Sequence, residues 1–211
     1  KNLEEYFNAK LILFKNLIKK NGYAIFKNKT PQYKKLNRIC KKNKIKILNI
    51  GKGGILEIVN NSIINNNQHV TFKFNNKQYS FKTSLIGEIQ IENLLMAALA
   101  ASKLLSMSKI VSILDKIKPI NGRLEKVGII KNLSTVILDY AHTPEAISTC
   151  IKNIKKHFKH SNISILFGCG GERDKSKREI MGRIANDLCQ KVYVTDDNPR
   201  NENPSTIRNQ I

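Results

Sequence analysis

The last third of the chain repeats one pattern three times: a short apolar run, a polar exit, and a helix-forming segment. "STVILDYAHTPEA" opens the first repeat, "NISILFGCGGERDKSKR" the second and "KVYVTDDNPR" the third. Apolar runs of this length, bounded by turn residues, suit buried strands. The intervening segments carry helix-start signals and helical spacing. Thr143 is a natural N-cap with Pro144 at the first helical position. Ile147, Ile151, Ile154 and Phe158 then share one face, Ile180, Ile184 and Leu188 do the same in the second helix, and Asn203-Pro204 starts a third. Strands alternating with helices call for a parallel sheet with right-handed crossovers, because parallel neighbours cannot be joined by a tight turn. The expected class is therefore α/β, with parallel strands in a Rossmann-like C-terminal domain. Ligands of such sheets bind beyond the carboxyl ends of the strands. All three polar exits, "DYAHTPE", "GCGGERDKSKR" and "TDDNPR", belong to that edge, which points to one shared site.

The preceding residues read differently. "LEEYFNAKLILFKNLIKK" has helical periodicity, with Leu3, Phe7, Phe14 and Leu17 on one face and Gly22 at its end. Lys10 falls in line with that apolar face. It is either a lysine snorkelling from the edge of the stripe or a buried functional amine. "YAIF" and "KIKILNIG" are strand-like around a helix in "PQYKKLNRICKKN", and "HVTFKFNNKQYSFK" alternates about Asn75-Asn76 as a β-hairpin. "IENLLMAALAASKLLSM" is a strong helix former with Leu95, Leu99 and Ser102 on one side. "KPINGR" breaks the pattern, so a boundary is expected near Pro119 to Gly122, dividing the chain into residues 1–119 and 120–211.

A net charge of +21 would ordinarily suggest a nucleic-acid partner. Here the excess is mostly Lys, spread from Lys1 to Lys191 and accompanied by many Asn and Ile, all encoded by A/T-rich codons. No RNP-like, zinc-finger or basic-zipper pattern occurs, so general basicity is the reading, without nucleic acid or membrane as partner. Cys40, Cys150, Cys169 and Cys189 are widely spaced with no CxxC pair, which suits free thiols in a reducing compartment. No apolar run approaches the ~20 residues of a membrane span and no signal-peptide pattern opens the chain. A cytoplasmic monomer is expected.

Several residues are candidates for chemistry. The glycines of "GCGGERDKSKR" allow close backbone approach, and the helix start beyond them favours anions. G-x-x-x-x-G-K-[ST] is absent throughout. Basic residues so early in a helix oppose its dipole, which suggests that a ligand anion compensates. Cys169 reads as a small apolar filler rather than a nucleophile. Asp139 is an acceptor for sugar hydroxyls or a strand-end cap, and His142 a donor or stacking group. Arg123, in "GRLE", suits a phosphate or a hinge. His157 and His160 stand three apart in a lysine-rich helix end and are expected to face solvent.

Together "GRLE", "LDYAHTPEA", "FGCGGERDKSKREIMG" and "VTDDNPR", in this order and spacing, resemble the Mur ligases. The resemblance is dense from Asn121 to Arg200. Before that it is carried by "YFNAKLILF", similar to the family's central-domain helix, and by "LIGEIQIENLLMAALA", similar to its Asn-bearing helix. It implies that residues 1–119 are the later part of a central ATP-binding domain, and that residues 120–211 are most of the amino-acid-binding domain. The family's UDP-binding domain and ATP loop would precede Lys1, and its closing stretch would follow Ile211. It also implies an ATP- and Mg2+-dependent ligase that phosphorylates a substrate carboxylate and joins it to an amine. Lys10 matches the family's carbamylated, magnesium-binding, catalytic lysine, and Asn93 a residue near the adenine. Arg123, Asp139 and His142 match nucleotide-side motifs, with Asp139 at the ribose. Arg173, Asn198, Pro199 and Arg200 match the segment that holds the incoming amino acid. The "DNPR" form resembles the type that adds meso-diaminopimelate to UDP-N-acetylmuramoyl-L-alanyl-D-glutamate in peptidoglycan precursor synthesis. The alternatives are a lysine-adding relative or a non-catalytic basic α/β module.

Overall fold

The computed structural model describes residues 3–131, 134–159 and 161–211. It divides into two compact units, one of Lys1–Ser84 with Ile91–Ile117, the other of Leu85–Gln90 with Lys118–Ile211. No helix among the described residues is long and apolar enough to cross a membrane.

The first unit is built on a five-stranded sheet in the order β1-β2-β3-β4-β5. β1 (Tyr23–Lys27) and β2 (Lys46–Ile50) run parallel, joined through α2 (Tyr33–Lys42), which buries Leu36 and Cys40. β3 (Leu56–Ile64) continues parallel to β2, while β4 (Asn67–Phe74) and β5 (Lys77–Thr83) follow as an antiparallel meander. The hairpin expected at Asn75-Asn76 forms, with both residues at positive φ (47° and 63°), and Asn65-Asn66 makes a second one. Asparagine tolerates the left-handed region that two-residue hairpin loops require. α3 (Glu88–Ala101) buries Ile91, Leu95, Ala98 and Leu99, and α4 (Met107–Leu114) closes the element order of this unit.

The first helix departs from its expected face. α1 (Leu3–Ile12) runs into a single π-helical turn, Leu13–Leu17. Leu11 is the fully buried member and joins Ala24, Phe26, Leu36, Cys40 and Ile45 in a core flanked by Phe7 and Phe14. Leu17 instead is 67% exposed. The wider π turn shifts every later side chain around the axis, so a stripe counted at 3.6 residues per turn misplaces the last position.

In the second unit the mixed α/β class holds, but the strands are partnered differently. β8 (Ser164–Phe167) and β9 (Lys191–Val194) pair in parallel, as the repeats require. β7 (Thr135–Leu138) pairs antiparallel with β6 (Glu125–Ile129), a strand the sequence reading passed over within "GRLEKVGII". A short connection suffices for that antiparallel pair, whereas a parallel ladder needs a crossover. α5 (Pro144–His157) and α6 (Lys177–Leu188) pack Ile147, Ile151 and Met181 around Cys169, with Ile207 of α7 (Pro204–Asn209) completing the cluster. Thr143 Oγ1 accepts from Ala146 N, as expected of the cap.

Three expectations are corrected here. β8 and β9 are half-buried rather than buried: Leu166 is 70% and Tyr193 53% exposed, because the helical cluster lies on their other face. In α6 the buried residues are Arg178, Met181 and Ala185, while Ile180 is 49% exposed. Ile184 and Leu188 still pack on the cluster, so the true face is rotated toward the 178–181–185 ridge. His157 is buried, with its ring against Phe158, instead of facing solvent; His160 lies outside the described residues.

Candidate functional site

Two of the polar exits lock together by backbone contact. The Gly168–Lys175 loop follows β8, and the Thr195–Glu202 loop follows β9. A Cβ added to Gly168 would stand 2.4 Å from Thr195 O, and one on Gly171 1.9 Å from Pro199 O. No side chain can occupy that space, so the glycines admit the neighbouring loop rather than, in the first instance, a ligand. Gly171 N donates to Asn198 O at 2.8 Å, and Arg200 Nη1 donates to Gly171 O at 2.7 Å. Arg200 itself sits at φ 51° and Glu172 at φ 54°, both left-handed and neither a glycine.

Within this frame Arg173, Asn198 and Arg200 come from one structured patch. Arg173 is exposed between two fixed neighbours. Glu172 accepts from Asn201 Nδ2 through its carboxylate, and Asp174 Oδ1 accepts from Ser176 N and Oγ. Those Ser176 bonds hold the Asp174 carboxyl below the usual carboxylate range. Asn198 Oδ1 faces Arg200 N at 3.4 Å, and Pro199 O accepts from Glu202 N, closing the turn that presents Arg200. One arm of the Arg200 guanidinium is engaged with Gly171, and Nη2 and Nε are the groups left to meet an anion.

The two carboxylates that open this exit are structural at one position: Asp196 pairs with Arg208 of α7. The basic start of α6 is also compensated from within. Arg178 is 0% exposed and forms a two-pronged ion pair with Glu202, at 3.0 and 3.2 Å, which Lys175 joins at 3.3 Å. The Glu202 carboxylate thus meets the basic residues at the start of α6 from within the fold. The Arg178 guanidinium foremost, then Glu172 N–H, pull that carboxyl from 4.5 to about 2. Arg178 and Glu202 escaped the sequence reading. Their signal was an arginine on the apolar ridge of α6, hidden among basic neighbours.

The remaining exit, "DYAHTPE", gathers the nucleotide-side candidates. Asp139 Oδ2 accepts from Leu124 N and Oδ1 from Ala141 N, both at 2.9 Å. It therefore caps the strand end and fixes Leu124 in a left-handed conformation (φ 47°), with a second lone pair on each oxygen. Burial, and then the adjacent Asp139 carboxylate, push the Cys150 thiol up to about 12, so it stays a protonated donor. The Arg123 guanidinium lies 5.1 Å from the centroid of the exposed Tyr140 ring, and His142 meets that ring edge-on at 5.2 Å. Lys177 Nζ donates to His142 O, tying this exit to the start of α6. Arg123, Asp139 and His142 are thus neighbours, with Tyr140 as the member the sequence reading missed. Cys169 is a buried filler, its Sγ 3.9 Å from Met181 Sδ.

The first unit offers less. Lys10 is exposed, with its ammonium 5.3 Å from the centroid of the exposed Tyr6 ring, so the buried-amine reading is corrected. Asn93 is exposed on α3 beside Glu92, which pairs with Lys27. Among the described residues no three His, Cys, Asp or Glu gather as a metal site.

Comparison with known proteins places both units. The Mur ligase middle domain matches residues 1–101, and the Mur ligase glutamate ligase domain matches residues 122–211. The UDP-N-acetylmuramoyl-L-alanyl-D-glutamate–2,6-diaminopimelate ligase of Rickettsia bellii (strain RML369-C) is 41% identical over 99% of this chain and 44% of its own length. The chain thus spans less than half the length of that relative. A solved structure of an enzyme of that same name superimposes with a TM-score of 0.65 at 26% identity, over 100% of this chain and 43% of the other. Folylpolyglutamate synthetase from Lactobacillus casei shares the fold alone, with a TM-score of 0.70 at 18% identity over 94% and 49% of the two chains. By its motifs, its two matched domains and its fold, the chain belongs to the Mur ligase family.

Proposed function

We propose that this chain is part of an ATP-dependent amide ligase that adds meso-diaminopimelate to UDP-N-acetylmuramoyl-L-alanyl-D-glutamate. The observation that carries this reading is the locked pair of loops presenting Arg173, Asn198 and Arg200 on one patch. Meso-diaminopimelate carries a second carboxylate that lysine lacks. A guanidinium can grip it through two parallel N–H bonds, which an ammonium cannot do. Arg200 would turn Nη2 and Nε to that carboxylate, with Pro199 stiffening the turn and Asn198 holding the Arg200 backbone. A lysine-adding ligase of the same family is the alternative on the same patch.

ATP would supply the phosphoryl group that activates the substrate carboxylate. The acceptor amine then attacks the acyl carbon, loses a proton and displaces phosphate, leaving an amide. At the "DYAHTPE" exit the donor set suits a nucleotide: Arg123 for phosphate, Asp139 lone pairs for ribose hydroxyls, and Tyr140 with His142 as a ring surface. Asn93 would lie near the adenine. Lys10, as a carbamate, would convert an amine into a hard oxygen ligand for Mg2+. Its exposure leaves CO2 free to reach it. The enzyme would act in the cytoplasm.

Arg200→Ala in the full-length enzyme is expected to raise KM for diaminopimelate at least a hundredfold, as a lost charged pair of ~3 kcal/mol requires. An unchanged KM would sink the assignment. Amino-acid-dependent ATP turnover with diaminopimelate against lysine separates the two substrates. Lys10→Ala should abolish turnover that short-chain carboxylic acids partly restore, and a bare amine by mass spectrometry of the active enzyme would count against the carbamate.

A further inference from the structure

Arg178 is the largest fully buried side chain among the described residues, and it lies one position into α6. Four of its guanidinium N–H groups are spoken for: Nη1 donates to Glu202 Oε2 and Gln210 Oε1, and Nη2 to Glu202 Oε1 and Gly170 O. Glu202 Oε1 also accepts from Glu172 N. One ion pair therefore joins the Gly168–Lys175 loop, the Thr195–Glu202 loop and the end of α7.

A buried ion pair is a poor way to gain stability, since desolvation offsets most of the attraction and apolar filling of equal volume does as well. What it gives instead is direction, because a planar fork fixes its acceptors in position. The neighbouring backbone needs such fixing. Glu172 and Arg200, one on each loop, are held left-handed without being glycines, a conformation that persists only where surroundings impose it.

We propose that Arg178 and Glu202 form a positioning clamp for the amino-acid pocket, holding the two loops in register so that Arg173, Asn198 and Arg200 meet the acceptor together, while the pair itself touches no ligand. The substrate half of this proposal rests on the ligase reading above; the clamp itself does not.

The test uses the full-length protein with Glu202→Gln, which keeps volume, and Arg178→Lys, which keeps charge but loses the fork. Hydrogen exchange at the amides of Gly171 and Glu172 is read alongside the kinetics. Expected are at least tenfold faster exchange at both amides and at least a tenfold rise in KM for diaminopimelate, with KM for ATP within twofold of wild type. Unchanged exchange in both variants overturns the clamp. Faster exchange with unchanged KM for diaminopimelate overturns its positioning role and leaves a merely structural pair. If one variant does not fold, the other carries the same two readouts. If wild type shows no amino-acid-dependent ATP turnover, the ligase reading fails, and exchange still decides the clamp.

Discussion

Lys10 and Arg200 are the two charged residues on which the proposed chemistry leans most, and their surroundings could hardly differ more. Arg200 sits on a left-handed backbone, bonded to the neighbouring loop, above a buried ion pair and two glycines with no room for a Cβ. Lys10 stands in solvent at the end of α1, touching the ring of Tyr6 one turn back. The residues proposed for the amino acid thus lie within one unit, on two loops that tertiary contacts join. The metal role proposed for Lys10 would depend instead on a modification of the amine. One site resists substitution because its geometry is imposed; the other should tolerate substitution in stability and fail only in function.

Four measurements sharpen or break that contrast. The largest effect is expected for Gly171→Ala, whose methyl would fall 1.9 Å from Pro199 O. Backbone cannot rotate away, so the loss should be about 3 kcal/mol in denaturant unfolding; a neutral result would show that the loops are not locked. Next, Asp139→Asn should cost about 2 kcal/mol, because its amide can accept at only one of the two backbone N–H groups that the carboxylate now satisfies. Third, Glu202 is depressed to about 2 from 4.5, so its stabilising contribution is present above pH 4.5 and drains away as pH falls toward 2. Thermal unfolding followed over that window should slope downward in wild type and lose part of the slope in Glu202→Gln. Smallest is Lys10→Ala, expected within about 0.5 kcal/mol of wild type because the side chain is exposed. A larger loss would mean that Lys10 is already structural.

Much of this was legible in the order of residues. Thr143-Pro144 started α5 where capping chemistry said it would, and Asn75-Asn76 turned the hairpin. The exits "DYAHTPE", "GCGGERDKSKR" and "TDDNPR" carried the candidate residues that cluster. What escaped was partnership. β7 found β6 because a short antiparallel link was at hand, and α6 turned Met181 and Arg178 inward in place of Ile180. Periodicity counts apolar residues, so an arginine on the buried ridge counts as noise until its carboxylate is seen. His157 failed for the same reason: lysines around it made a polar end of a helix whose inner face continues through it.

The sequence alone determined the family, the α/β class, the caps and turns, and the strings that bear chemistry, since each depends on local conformational preference or on a motif of fixed spacing. Only the tertiary structure decided why "VTDDNPR" is shaped as it is. Asp196 goes to Arg208, Glu202 to the buried Arg178, and the Pro199 carbonyl to the space a glycine leaves open. Those pairings join residues up to 30 or so positions apart, as Arg200 to Gly171 at a separation of 29. Charge complementarity and steric fit over such distances are properties of the packed chain, which spacing along the sequence does not encode.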